Sequence, residues 1–337
     1  MAYPYRVAVQ ISMYPMDVRH ARHLLAHQLR VWGPMVDRFV VTIDVHRSRA
    51  GRYRGAGFDE NLAALRAIVD ELRTQDPRVS WHEVDYRPEA RREVANTYFG
   101  RDDIPVKAWD GGPFYAYFHG LLEARARYVV HFDGDMLFGG ASRQWVEEAV
   151  RLLNGDADVL LASPLPGPPR EDGRIFGHGA GVERLDRPEL GLAYRFQHAS
   201  TRVFVIDQQK LREKVGVLPL TPPVLASRIK SHLLGNPPIA REAEVILGEV
   251  LREHGLYRVD FLGTAPGMWS LHPPYRSDEF YRRLPELIAA VESGDVPEAQ
   301  RGDYDMNDSM IDWSVQRQAN RRSRRLWRLL KDRLNLS

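Results

Sequence analysis

From residue 5 to residue 163, β-rich and helix-patterned segments alternate without a break, and this alternation limits the available folds more than any other feature of the chain. Residues 5–12 are a β-rich run, and residues 17–32 carry Val18, Ala21, Leu25, Leu29 and Trp32 at helical spacing. Residues 38–45 (RFVVTIDV) give the next strand, residues 59–75 set Leu62, Leu65, Val69 and Leu72 on one helical face, and residues 78–86 give a third strand. A loop rich in glycine and aromatics then leads to a helix at 115–124, a strand at 128–132, a helix at 142–154 and a strand at 157–163. Strands joined by helical crossovers run parallel and are covered on both faces, so the pattern predicts an α/β fold with a mostly parallel sheet.

Pro and Gly then crowd residues 164–188, which read as an irregular connection before a strand at 201–206 and a helix after it. Asn236-Pro237-Pro238 has the form of a capped helix start, Gly255 of its stop, and residues 256–262 of a final strand. One continuous domain is expected over 1–290, with a helical extension over 291–337.

Composition closes off several classes of function. The 337 residues include no Cys, which excludes disulfide scaffolds, thiolate metal sites and Cys-nucleophile enzymes. Residues 315–337 hold eight Lys or Arg against one Asp, a net +7; the whole chain carries +2, so the remainder is at −5. An acidic body argues against a nucleic-acid-binding face. No basic leader runs into an apolar stretch and no 18 apolar residues follow one another, so a soluble, cytoplasmic protein is expected.

Ligands of an open parallel sheet sit beyond the carboxyl ends of its strands. After the strand at 128–132 the chain reads Asp133-Gly134-Asp135. Two carboxylates one Gly apart suit a hard divalent cation and the hydroxyls of a nucleotide, although the triplet alone also describes an ordinary solvated turn.

In its context, residues 124–138 (ARARYVVHFDGDMLF), the triplet resembles the metal-binding segment of GT-A-fold glycosyltransferases, particularly those of the family 2 type. Three further positions follow in the family's order: Ser12-Met13-Tyr14-Pro15 at the end of the first strand, Thr42-Ile43-Asp44 at the end of the second, and Glu244-Val245-Ile246-Leu247-Gly248 near the end of the domain. The resemblance spans roughly residues 5–275. It implies a Rossmann-related GT-A sheet with a nucleotide-sugar half over about 1–140 and an acceptor half over about 141–290. It also implies a nucleotide-sugar donor, with Ser12, Tyr14 and Asp44 beside the base. Asp133 would hold the ribose or the metal, Asp135 the Mn²⁺ or Mg²⁺, and His272 would be a late third ligand. Glu244 would be the catalytic base of an inverting transfer to an acceptor hydroxyl on a small molecule, glycan or lipid-linked sugar. Where the family usually has Glu-Asp, this chain has Ala243-Glu244.

Helical geometry bears on the base separately. Ile239, Ala243, Ile246, Leu247, Val250 and Leu251 form one apolar stripe, with Glu244 on one border and Glu242, the runner-up, on the other. A helix N-terminus favours the ionised carboxylate that a general base needs. Glu249 points further out and reads as solvated. Lys107, before the Gly111-Gly112 pair, is placed either to meet a diphosphate or to sit in a surface loop.

Other signals lead elsewhere. Gly177 to Gly181 does not form the first strand-to-helix turn, so a dinucleotide fingerprint is excluded, and Asp303 to Ser314 lacks the Gly and Glu of a calcium loop. Arg47, Arg49, Arg52 and Arg54 make a basic loop. In the tail, Leu326, Trp327, Leu329, Leu330 and Leu334 share a helical face opposite Arg324, Arg325, Arg328 and Lys331, the pattern of a helix that docks either on the domain or on an anionic membrane surface. The competing functions are a sugar-phosphate nucleotidyltransferase, whose expected Gly-rich phosphate loop after the first strand is missing, and a non-catalytic sugar- or membrane-binding protein.

Overall fold

Strand Tyr5–Met13 (β1) turns Val7, Val9, Ile11 and Met13 to one face of a sheet and Ala8 and Gln10 to the other, all buried, as a central strand requires. A computed structural model describes residues 3–47, 57–177, 181–233 and 240–321. The chain continues through Val18–Trp32 (α1), Arg38–Ile43 (β2), Phe58–Gln75 (α2), Val79–Glu83 (β3), Pro88–Phe99 (α3), Tyr115–Glu123 (α4) and Ala126–Asp133 (β4). Next come Leu137–Gly139 (β5), Trp145–Gly155 (α5), Val159–Pro166 (β6), Val182–Leu185 (β7), Ala193–Phe196 (β8), Val203–Asp207 (β9) and Gln208–Lys214 (α6). Leu225–Leu233 (α7), Ala243–Glu253 (α8), Tyr257–Phe261 (β10), Trp269–Leu271 (β11), Asp278–Ser293 (α9) and Ser314–Ala319 (α10) complete it.

The strands pair in the order β3-β2-β1-β4-β9-β6-β10-β8-β7, with β11 beside β6 and β5. Pairing is parallel across β3-β2-β1-β4 and between β6 and β10. β9 enters antiparallel to both β4 and β6, and β8 and β7 add an antiparallel edge. The expected α/β sheet is present, with its parallel part in the N-terminal half. There the chain steps outward from β1 to β2 and β3, then returns to the opposite side of β1 to lay down β4, which makes a topological switch point between β1 and β4.

Helices cover both faces. On one, α1, α2 and α5 bring Leu25, Trp32, Leu65, Val69 and Trp145 against the odd-numbered face of β1. Trp32 lies 5.5 Å from Phe132, 5.0 Å from Phe138 and 5.7 Å from Trp145, ring centre to ring centre. Pairs of this kind contribute about 0.5–1.5 kcal/mol each beyond the area they bury. On the other face α3, α4, α6 and α8 bury Tyr98, Phe118, Leu211, Ile246 and Val250. A third cluster joins α9 to β5 and β11, with Met306, Met310, Ile311 and Trp313.

Several expectations need correction. The helix expected from Asn236 begins only at Ala243, because Ala240 and Arg241 are non-helical and Glu242, the N-cap, is extended (φ −61°, ψ 147°). Residues 234–239 lie outside the described residues. α3 falls in a stretch read as loop, although Pro88 in its first turn and left-handed Gly100 after its end mark it. β7 lies within the segment expected to be irregular. The boundary placed at residue 290 falls inside α9, and residues 296–313 join the core because their apolar side chains cover α9 and β11. Residues 48–56, 178–180 and 322–337, with most of the basic loop and the tail helix, lie outside the described residues.

Candidate active site

Three strand ends meet at the switch point. Ser12 pairs in register with Thr42 on one side and with Asp133 on the other, so the ends of β1, β2 and β4 stand side by side. Beneath them Gln10 donates to Ser12 Oγ at 3.2 Å and to Thr42 Oγ1 at 2.7 Å, and Gln10 Oε1 meets His131 Nδ1 at 2.5 Å. This buried network fixes Ser12 from below. The turn after β4 packs closely on β1: a Cβ on Gly134 would fall 2.1 Å from Met13 Sδ, so a larger residue there would have to displace the Met13 side chain.

The two aspartates differ sharply in surroundings. Asp135 is 2% exposed. Its Oδ2 accepts from Arg276 Nε at 2.9 Å and from Arg276 Nη2 at 2.5 Å, whereas its Oδ1 is buried without a hydrogen-bond partner. Arg276 Nη1 also donates to Asp17 Oδ1 at 3.1 Å, and Asp17 Oδ2 accepts from the Tyr14 amide at 2.8 Å. Burial works to raise the Asp135 carboxyl, but Arg276, His272 and His20 together outweigh it and hold it below the usual carboxylate range. Asp133 is pushed up by burial and by the charge of Asp135, against the pull of Arg276 and Arg202. Among the described residues no hydrogen bond reaches the Asp133 carboxylate from another side chain.

His272 acts on the Asp135 carboxyl through its charge, while its ring is engaged by other residues. Its Nδ1 lies 2.7 Å from Asp305 Oδ1 and also meets Arg202 Nη1, and Tyr304 stacks on its ring. Residues 304–306 are laid along His272 by backbone bonds, His272 N to Tyr304 O and Met306 N to His272 O, which carry Asp305 to the site from far along the chain. No group of three or more His, Asp or Glu side chains spaced to hold a metal occurs among the described residues. The donor set nevertheless suits a hard cation of the Mg²⁺ type. Such ions take one or two carboxylates and complete their shell with water and substrate phosphates, and Asp135 Oδ1 is an orphaned, buried oxygen next to a second carboxylate.

At the other end of the crevice Asp44 is buried and fully engaged. Lys107 Nζ lies 2.9 Å from its Oδ2, while the Tyr86 hydroxyl at 2.6 Å and the His46 amide at 2.8 Å both donate to its Oδ1. Lys107 therefore stands as the counter-charge of Asp44. Its side chain is only 12% exposed, unlike that of a residue in a solvated surface loop. Tyr14 packs edge-on against Phe58 with ring centres 5.8 Å apart. Burial and the nearby Asp44 carboxylate drive the Tyr86 hydroxyl far above its ordinary range, so it remains a donor.

Glu244 is exposed in the first turn of α8, and its Oε2 accepts from the Thr201 amide at 3.1 Å. The next residue, Arg202, accepts the Asp133 amide at 2.9 Å through its carbonyl. The buried Tyr117 hydroxyl, without a hydrogen-bond partner, is raised by burial first and then by the charges of Asp133 and Glu244. Glu242 is the N-cap of α8 and makes no side-chain capping bond. Glu249, expected to be solvated, is instead bound by Arg241 and Thr221. Arg202, Arg276, Thr201, Tyr86 and Asp305 escaped sequence reading because none lies in a motif. Tyr86 reaches the site from the end of β3, Thr201 and Arg202 from the start of antiparallel β9, and Arg276 and Asp305 from the segments after β11.

No family model and no curated protein matches the sequence. Among solved structures, the chain is similar to a galactosyltransferase, LgtC, in complex with donor and acceptor sugar analogues, at 15% identity and a TM-score of 0.30, with 61% of this chain and 59% of that chain covered. This chain thus spans about three fifths of that protein's length. It is also similar to residues 1–349 of TarS from S. aureus in complex with UDP-GlcNAc, at 11% identity and a TM-score of 0.41, with 87% and 68% covered. A third likeness is to a mannose-1-phosphate geranyltransferase from Thermus thermophilus, at 11% identity and a TM-score of 0.34, with 77% and 75% covered.

Proposed function

We propose that this protein is a metal-dependent, inverting glycosyltransferase that moves a sugar from a nucleotide-diphosphate donor to an acceptor hydroxyl. The observation that carries the reading is that one backbone segment, Thr201-Arg202, holds both Glu244 and the end of β4 from which Asp133 and Asp135 follow. The motif order read from the sequence supports the same conclusion.

In this reading the donor's base lies beside Tyr14 and the Asp44–Lys107–Tyr86 cluster, and its ribose lies near Ser12 and Asp133. Asp135, with Asp133, would hold a Mn²⁺ or Mg²⁺ ion, which when bound neutralises charge on the departing diphosphate. Glu244 keeps Oε2 on Thr201, which orients the carboxylate and leaves Oε1 to accept the proton of the acceptor hydroxyl. As that proton moves, the acceptor oxygen bonds to the anomeric carbon from the face opposite the donor phosphate. The bond from that carbon to the phosphate oxygen breaks, and its electron pair leaves with the nucleoside diphosphate. Attack from the opposite face inverts the anomeric centre. Arg276 and Arg202, whose charges both act on Asp133, are donors suited to the diphosphate.

The test is to incubate the protein with nucleotide sugars and Mn²⁺ and to follow nucleoside diphosphate release, with and without EDTA. Metal-dependent release supports the transferase. Release of pyrophosphate from a nucleoside triphosphate and a sugar phosphate would make it a nucleotidyltransferase, and binding without turnover would make it a non-catalytic sugar-binding protein.

A further inference from the structure

We propose that Arg276 is a resident cation that competes with the divalent metal for Asp135, so that the bare metal binds weakly until a diphosphate draws the guanidinium away. The inference rests on the metal-dependent transferase reading and concerns the regulation of that same site.

The bonding pattern of the pair is the starting point. A guanidinium frequently presents its fork to both oxygens of a carboxylate, which satisfies both and fixes the geometry. Here Nε and Nη2 both converge on Asp135 Oδ2, and Oδ1 stays buried with no donor. An unsatisfied buried carboxylate oxygen costs free energy, so the arrangement meets only half of what Asp135 needs. The same guanidinium is held at Nη1 by Asp17, on the turn that follows β1. Arg276 is therefore anchored independently of Asp135 and stays in the site when its contact with Asp135 is given up. Its position immediately before Ser277, the N-cap whose Oγ accepts from the Phe280 amide at 3.0 Å, fixes its backbone to the start of α9.

Charge sets the direction of the effect. Asp17 and Asp135 pair with Arg276, and the charges of Arg276 and Arg202 both act on Asp133. A divalent ion arriving at Asp135 meets a fixed positive charge on the same carboxylate, in a buried setting where screening is weak. A diphosphate brings enough negative charge to take Arg276 as a partner, after which metal and nucleotide each favour the other's binding. Such coupling is reciprocal and typically amounts to about 5–150-fold in affinity.

The test measures Mn²⁺ binding to the full chain without nucleotide, by electron paramagnetic resonance of free Mn²⁺ and by the Mn²⁺-induced change in melting temperature. Arg276→Gln should bind Mn²⁺ about tenfold or more tightly than the natural protein. Arg276→Lys, which keeps the charge, should gain much less, and adding Asp135→Asn to Arg276→Gln should erase the gain. Asp17→Asn, which loosens Arg276 while leaving both metal aspartates intact, should fall between and decides the matter if Arg276→Gln does not fold. Mn²⁺ binding by a folded Arg276→Gln protein that is no tighter than that of the natural one overturns the proposal, as does a gain that survives Asp135→Asn. Metal-dependent turnover with no gain in Arg276→Gln would sink this inference and leave the transferase standing. A gain without any transferase activity would do the reverse.

Discussion

Glu244 and Asp133, 111 residues apart in the sequence, are held by adjacent residues of one backbone segment. The Thr201 amide donates to Glu244 Oε2 at 3.1 Å, and the Arg202 carbonyl accepts the Asp133 amide at 2.9 Å. A carboxylate on α8 is thereby tied to the end of β4 through the start of β9, which lies antiparallel beside it. The candidate base and the candidate metal site share one rigid support.

Replacing Glu244 by Gln tests that arrangement. The amide keeps an oxygen for the Thr201 N–H and leaves the helix in place, but it cannot take a proton. Turnover should drop by roughly 10²-fold or more with donor KM little changed, and Glu242→Gln should be close to neutral. Steady-state kinetics of both variants decide between the two glutamates.

Asp135→Asn should fold, since Arg276 keeps its bond to Asp17. The variant should lose the rise in melting temperature that a nucleoside diphosphate gives with Mn²⁺. A thermal-shift titration with and without EDTA provides the measurement, and an undiminished metal-dependent shift would remove Asp135 from the site.

Lys107→Met removes the counter-charge of Asp44 in a pair whose side chains are only 12% and 10% exposed. Breaking a fully buried pair from one side costs about 3–5 kcal/mol, so a cost of about 2–3 kcal/mol is expected here, together with weaker donor binding. Urea unfolding and donor titration measure the two effects. A double change to Met at 107 and Asn at 44 should recover part of the stability.

Acid should loosen α9 through Glu292. Its carboxyl is held down at about 2, first by the hydrogen bond with His27 at 2.6 Å and then by Arg30 at 2.8 Å, against the cost of partial burial. A depressed carboxyl contributes stability that is complete above its unfolded value of 4.5 and is lost as pH falls from there towards about 2. Because Glu292 is about one third exposed, solvent screening reduces the contribution to about 1 kcal/mol. Glu292→Gln should lower stability by that amount at pH 7, and the difference from the natural protein should shrink in urea titrations at pH 4 and 3.

The tail, residues 322–337, is tested by truncation after Arg321. If its Leu/Trp face meets an anionic membrane, the shortened protein should lose salt-sensitive binding to anionic vesicles and keep its melting temperature. If the face docks on the domain, the shortened protein should melt earlier and neither form should bind vesicles. Vesicle co-sedimentation and melting of the two forms distinguish these outcomes.

Local sequence determined the layers of this protein and the position of its acidic turn. Period-2 and period-3.6 patterns are written into neighbouring residues, so β1 to β4 and the helices α1, α2, α4 and α5 were legible, as was Asp133-Gly134-Asp135 at a strand end. The tertiary structure alone decided what each of those charges faces. Arg276 on Asp135, Lys107 on Asp44 and Asp305 on His272 join residues 141, 63 and 33 positions apart. Such pairs form because burying a carboxylate away from water is costly unless a cation or donor reaches it, whichever segment carries that partner. The antiparallel entry of β9 between β4 and β6 was hidden for the same reason. A strand's own pattern records which face is buried, whereas its neighbour and direction depend on where the chain returns to the sheet.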